Sequence, residues 1–340
     1  MRRRATFLAV ETPPLPELVP VPAVWKRLGQ VETRLHEVTE AEDAFLTKIA
    51  RHLIDAGGKR YRPLLAQVTA ELGTISDDYP IEAGVSVELV HIGSLYHDDV
   101  IDEADERRGA SSVNTNWSNT IAILAGDFLL ARASEVAAPL GEEAVTLIAQ
   151  TYAKLVEGQV LELQLTDDLV HGPDEYFKVI GGKTASLIRT SARLGAMAAR
   201  ADEAIIEAVS HWAWEMGLVF QMSDDVLDLV ATDQYLGKPV GSDIGEGTFT
   251  LPVLYAMEGR RADELKALLA ERRPYPSDTV ASVLEIVRNG GYVDRALDEA
   301  AARLRAADES VDSLPQGEIP DILRRLGRYL LDRAEAARAT

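Results

Sequence analysis

The sequence predicts an all-α fold, and three observations carry that prediction. Apolar residues recur at helical spacing from Trp25 to the C-terminus, convincing period-two strands are absent, and glycine or proline punctuates the periodic stretches. Val31, Leu35 and Val38 begin the pattern, followed by Phe45, Ile49 and Leu53. Gly57-Gly58 ends that helix, and Pro63 suits the first turn of the next. Long periodic stretches cover 80–104, 117–138, 142–166, 173–199 and 202–231. Breaks fall at Gly109, Gly141, Gly172-Pro173 and the glycine-rich segment 237–247. Further helices are expected around 250–258, 262–273, 276–289, 291–311 and 318–338. Five prolines between positions 11 and 22 predict an irregular arm over 1–24. Residues 25–340 then form one domain of about 10–13 helices.

Composition narrows the function. The chain has 340 residues, 46% of them apolar, enough for a sizeable core. It has no cysteine, which excludes disulfides, thiolate metal sites and cysteine nucleophiles and fits a reducing compartment. A formal net charge of −20 argues against a nucleic-acid partner. The N-terminal Met-Arg-Arg-Arg precedes an apolar stretch too short for a signal peptide, and no run is long enough to span a membrane. A cytoplasmic protein is expected.

Two clusters share the pattern D-D-x-x-D: Asp98, Asp99 and Asp102, and Asp224, Asp225 and Asp228. On a helix the first and third aspartates of each lie about 40° apart and one turn along the axis. Three carboxylates so placed repel one another unless cations or protons relieve them. Magnesium takes oxygen ligands and keeps water and phosphate in its shell, so two facing clusters suit metal-held diphosphate. A solvated acidic face is the bland alternative. Leu95-Tyr96, Val100-Ile101, Val219-Phe220, Met222 and Val226-Leu227 argue against it, because these helices are largely apolar. Gln221 joins the second stripe at i, i+3, i+4 and i+7, while His91 and Ser94 join Asp98 and Asp102 on the first.

Basic blocks provide a counterpart. Gly57-Gly58-Lys59-Arg60-Tyr61-Arg62-Pro63 sets three cations beside two glycines, and Arg107-Arg108-Gly109 follows the first cluster. Glycines admit close backbone approach, and lysine and arginine bind phosphate oxygens. Lys183-Thr184 and Lys238 are weaker signals.

With Ala125-Gly126-Asp127-Phe128-Leu129 and Gly237-Lys238-Pro239-Val240-Gly241-Ser242-Asp243, these blocks resemble the trans-isoprenyl (polyprenyl) diphosphate synthases, from about residue 25 to the C-terminus. The resemblance implies antiparallel helices around a deep central cavity, usually in a homodimer. It implies head-to-tail (1'-4) condensation of isopentenyl diphosphate with an allylic diphosphate. Asp98, Asp102 and Asp224 would bind magnesium, assisted by Asp99, Asp225 and Asp228, with several ions present and three when substrate is bound. Lys59, Arg62, His91 and Arg108 would hold isopentenyl diphosphate. Arg107, Lys183, Thr184, Gln221 and Lys238 would hold the allylic diphosphate, Lys183 counting with the aspartates among the catalytic groups. One departure stands out: Thr248 occupies a position where many family members carry lysine.

In such enzymes, bulky residues four or five positions before the first aspartate close the product cavity. Here these positions hold Ser94 and Gly93, so a long-chain all-trans product is expected and Gly93→Phe should shorten it. The alternatives are a short-chain (farnesyl or geranylgeranyl) synthase, a terpene cyclase, and a non-catalytic subunit of a hetero-oligomeric synthase. Cyclases often lack the second aspartate cluster and such subunits usually lose one; this chain keeps both.

Overall fold

The computed structural model describes residues 15–236 and 239–338. The architecture is all-α, and the long helices follow the apolar periodicity closely: Tyr79–Ile101, Asn119–Ala137, Glu142–Leu165 and Glu203–Val230, then Leu251–Met257, Ala262–Leu269, Ser277–Asn289, Tyr292–Val311 and Glu318–Arg338. Three places differ from expectation. Residues 15–24 are not an irregular arm: Leu15–Leu18 is helical, a second helix runs Pro22–Val38, and Leu18, Val19 and Val24 are buried in the core. The Trp25 indole donates to Val19 O at 2.7 Å and the Arg325 guanidinium to Leu18 O at 3.3 Å, which fastens this segment to the C-terminal helix.

The second difference is a hairpin. Glu106–Arg107 pairs antiparallel with Ala110–Ser111. Arg108 and Gly109 form its two-residue turn with φ of 57° and 73°, the mirror-image geometry that matches strand twist. Arg108 is a non-glycine residue in the left-handed region, a conformation that costs energy and is held here by the bonds its side chain makes. The third is a π-helical turn, Gly181–Ala185, between helices Pro173–Ile180 and Ser186–Ala198. Such turns occur chiefly where a side chain must be re-aimed at a functional site.

Two helices form the centre. Tyr79–Ile101 packs on Asn119–Ala137, Tyr61–Ala70 and Ser186–Ala198, while Glu203–Val230 packs on Tyr292–Val311, Ser186–Ala198 and Glu318–Arg338. Both are buried on most of their surface, which is why their sequences are apolar nearly all round. Ser186–Ala198 touches both, and small residues let its neighbours pack closely. A Cβ on Gly195 would strike Ala66 O of Tyr61–Ala70, and one on Gly217 of Glu203–Val230 would lie 2.7 Å from Ala185 Cα in the π-helical turn. Outside, Ile123, Leu124, Val156, Val160 and Leu163 leave an apolar face exposed on Asn119–Ala137 and Glu142–Leu165. No helix among the described residues is long and apolar enough to cross a membrane.

Gly195→Ala should therefore overpack the crossing of Ser186–Ala198 on Tyr61–Ala70 and destabilise the fold by about 1–3 kcal/mol. Denaturant unfolding measures this; unchanged stability would mean the crossing is looser than described.

Candidate active site

Both aspartate clusters sit at the C-terminal ends of the central helices. Asp98 and Asp99 lie in the last turn of Tyr79–Ile101, Asp102 caps it, and Asp224, Asp225 and Asp228 close Glu203–Val230. A helix C-terminus carries partial negative charge, so these are the least favourable ends for carboxylates unless a cation is near. Burial, chiefly, raises the Asp98 pKa to about 6; Lys183 pulls it down and Asp102 pushes it up. Asp102 is exposed at the mouth of a cleft of about 480 Å³. Asp99 departs from the row. It is fully buried, and its Oδ1 accepts from Arg107 Nε at 2.7 Å, so it anchors the hairpin.

On the facing wall, Asp225 is buried and accepts from Tyr176 Oη at 2.6 Å and from Gln221 Nε2 at 2.8 Å. Gln221 Oε1 in turn accepts from Thr184 Oγ1 at 2.8 Å. Burial and then Asp243 push the Asp225 pKa well above the carboxylate range. Asp228 is buried and accepts from the Asp243 amide at 3.3 Å, and Asp224 lies 3.4 Å from Arg333 of the C-terminal helix. The cleft between the walls is lined by Asp102, Asp225, Lys183, Thr184, Gln221 and Thr248, among others.

Lys183 reaches the cleft from the π-helical turn. That turn lies against Glu142–Leu165 so closely that a Cβ on Gly158 would lie 2.6 Å from Lys183 N. Lys183 Nζ donates to Glu162 Oε2 at 2.5 Å. Burial lowers the ammonium pKa, but Glu162, Asp98 and Asp102 outweigh it and the net shift is upward. Lys183 therefore stays charged. Glu162 was not anticipated from the sequence, although Gln159 and Glu162, one turn apart, share the cleft-facing side of their helix.

The basic blocks gather around one buried acid, Glu88. Arg60 has φ of 47° and turns inward, giving Glu32 two bonds of 2.8 and 2.7 Å, Glu88 one of 3.1 Å and Ile54 O one of 2.9 Å. Arg108 donates to Gly57 O at 2.5 Å and Leu53 O at 2.9 Å and lies 3.8 Å from Glu88. Gly58 has φ of 152°, which other residues rarely adopt, and a Cβ there would fall 3.0 Å from that guanidinium. Burial lowers the Arg62 pKa to about 10, and its buried Nε has no hydrogen-bond partner among the described residues. Burial and the arginines, Arg62 first, hold His91 well below its ordinary pKa, so it is neutral. Lys59 is exposed at the rim. Lys238 lies outside the described residues.

Ser94 and Gly93 part company. Ser94 is half-buried, its Oγ donating to His91 O at 2.8 Å. A Cβ on Gly93 would lie 3.1 Å from Gly126 O and 3.2 Å from Leu130 Cγ, so Gly93 serves a helix crossing.

The polyprenyl synthetase family model matches residues 43–287. The chain belongs to the polyprenyl synthetase family. A nonaprenyl diphosphate synthase of Mycobacterium tuberculosis is 39% identical over 93% of this chain and 94% of its own. Component 2 of a heptaprenyl diphosphate synthase from Geobacillus stearothermophilus is 36% identical over 89% and 94%. The crystal structure of a geranylgeranyl pyrophosphate synthase from Corynebacterium glutamicum, complexed with calcium and isoprenyl diphosphate, superposes with a TM-score of 0.82 at 37% identity, covering 94% of this chain and 98% of that one.

The donors in this polyprenyl synthetase fit a hydrated divalent cation that shares its shell with phosphate. Among the described residues no three acidic or histidine side chains are grouped to hold a metal ion. Magnesium is bound in just that way, through one or two carboxylates plus water and substrate oxygens.

The raised Asp98 pKa has a stability consequence. A carboxyl with a raised folded pKa stabilises the fold while protonated, and that contribution is lost as pH rises from the ordinary aspartate range through about 6. Metal-free Asp98→Asn should therefore melt higher than the parent at about pH 7.5, with the gap narrowing toward about pH 5. Thermal melts across that range check this; a gap independent of pH would contradict it.

Proposed function

We propose that this polyprenyl synthetase catalyses magnesium-dependent head-to-tail (1'-4) condensation of isopentenyl diphosphate with an allylic diphosphate, giving a long-chain all-trans polyprenyl diphosphate. The observation that carries this reading is the pairing of two separate cationic sites with one pair of carboxylate walls. One is the arginine group over Glu88, where Arg62 keeps a buried N–H without a partner among the described residues. The other is the cleft with Lys183, Thr184 and Gln221. Two diphosphates are then held at once, as chain elongation requires and hydrolysis or cyclisation of one does not.

Lys59, Arg62, neutral His91 and Arg108 hold isopentenyl diphosphate in this reading. Lys183, Thr184 and Gln221, with Arg107 and Lys238, hold the allylic diphosphate. Asp98, Asp102, Asp224, Asp225 and Asp228 would hold the magnesium ions, three with substrate present. When bound, magnesium supplies the positive charge that stabilises the departing diphosphate. Asp99 acts at one remove, holding Arg107 in place. Allylic C–O cleavage leaves a carbocation that the isopentenyl double bond attacks, and the released diphosphate takes the proton. The apolar central helices keep water from that cation. The exposed apolar face of Ile123, Leu124, Val156, Val160 and Leu163 supports a homodimer.

Long product length rests on the small Ser94 and on the long-chain relatives. A short-chain product is the second reading, favoured by the likeness to the geranylgeranyl pyrophosphate synthase. The purified chain, incubated with magnesium, labelled isopentenyl diphosphate and each allylic primer in turn, should make products longer than geranylgeranyl. A product stopping at farnesyl would contradict this, and turnover only with a second protein would favour a subunit role. Ser94→Phe should shorten the product without loss of fold. Gly93→Phe is no longer the variant of choice, since its ring meets Gly126 and Leu130 first.

A further inference from the structure

Acids, one lysine and one arginine share the described lining of the cleft beside the second aspartate cluster. Its lining includes Asp102, Glu162, Asp225, Asp243 and Glu246, and Lys183 and Arg273 are the lysine and arginine among the described lining residues. Lys183 is bound to Glu162 and feels Asp98 and Asp102, so it serves the first wall. At the second wall stands Thr248, which has no charge.

Arg273 arrives there from the loop between helices Ala262–Leu269 and Ser277–Asn289. Its Nε and Nη2 grip Asp167 Oδ1 and Oδ2 at 2.7 and 2.9 Å. The pair rests on Gly247, the neighbour of Thr248. A Cβ at Gly247, where φ is +77°, would strike the Asp167 carboxylate and lie 2.8 Å from Arg273 Nε. Asp167 N also donates to Gly247 O at 2.9 Å, which fixes the three segments together. A guanidinium has two hydrogen-bonding edges, and Asp167 uses one. The other, Nη1 with the second Nη2 proton, makes no hydrogen bond to the described residues. The Asp167 pair is itself partly exposed, with side-chain exposures of 34% and 47%, so solvent screens its hold on the arginine's charge.

We infer that Arg273 is a phosphate-binding residue of the allylic diphosphate site, replacing from a distant loop the cation that position 248 lacks, with Asp167 as its positioning residue. This rests on the reading of the cleft given under Proposed function. A guanidinium held by one edge presents the other to a diphosphate oxygen as a charge-assisted fork.

The test is calorimetric binding of farnesyl diphosphate to the full chain with magnesium and without isopentenyl diphosphate, so that it does not depend on turnover. Arg273→Gln should weaken binding by about tenfold, the size of one charge-assisted hydrogen bond. Thr248→Lys in the Arg273→Gln background should recover most of that loss, which a merely structural arginine would not allow. Asp167→Asn should cost less than Arg273→Gln. In steady-state assays the primer KM should rise and the isopentenyl diphosphate KM should not. Unchanged affinity in Arg273→Gln overturns the inference. So does equal weakening in Asp167→Asn and Arg273→Gln with no rescue by Thr248→Lys. A parent chain that binds farnesyl diphosphate as expected but never condenses it would sink the proposed reaction and leave this inference standing.

Discussion

Repulsion between carboxylates at the ends of two apolar helices is the constraint on which the rest of the site depends. Asp98 is half-buried and Asp225 buried, each has acidic neighbours, and each sits where its own helix dipole is unfavourable. Their raised pKa values record that cost. The fold relieves part of it, with Arg333 3.4 Å from Asp224. Lys183 is shared with Glu162, Arg107 is committed to Asp99, and Gln221 and Tyr176 give Asp225 neutral hydrogen bonds. The remaining relief is left to cations that arrive with an anionic substrate.

The arginine group works by the opposite logic. Arg60, Arg62 and Arg108 crowd around one buried acid, so positive charge exceeds negative. Glu88 keeps the group assembled, and the excess is available to a diphosphate. Arg60 is spent on structure through Glu32 and Glu88, whereas Arg62 retains a buried N–H with no partner among the described residues. Neighbouring cations in one short motif thus have separate tasks, decided by the left-handed backbone at Arg60.

The long helices were legible because their burial is amphipathic or total, and either leaves a strong apolar period. The aspartate walls were legible because acids are rare in such helices. Other features depend on tertiary contact. The hairpin at 106–111 has strands of two residues, too short to show alternation. The π-helical turn at Lys183 lies where Gly158 and Gly182 let two helices meet, a tertiary contact rather than a local signal. The division of labour among Lys59, Arg60 and Arg62 turns on a single backbone angle. Glu88 could have been found, as a lone acid within the apolar run from Val85 to Val90. Gly93 was legible as a small residue, but not as one pressed against Gly126. Residues 15–24 were read from their prolines, and the burial of Leu18 and Val19 outweighed that signal.

The central claim is that the carboxylate walls bind divalent cations only together with a diphosphate. Calorimetric titration of magnesium into the purified chain, with and without inorganic pyrophosphate, tests it most directly. The account predicts weak binding without pyrophosphate and strong, multi-ion binding with it, lost in Asp98→Asn. Equally strong magnesium binding without pyrophosphate would contradict it.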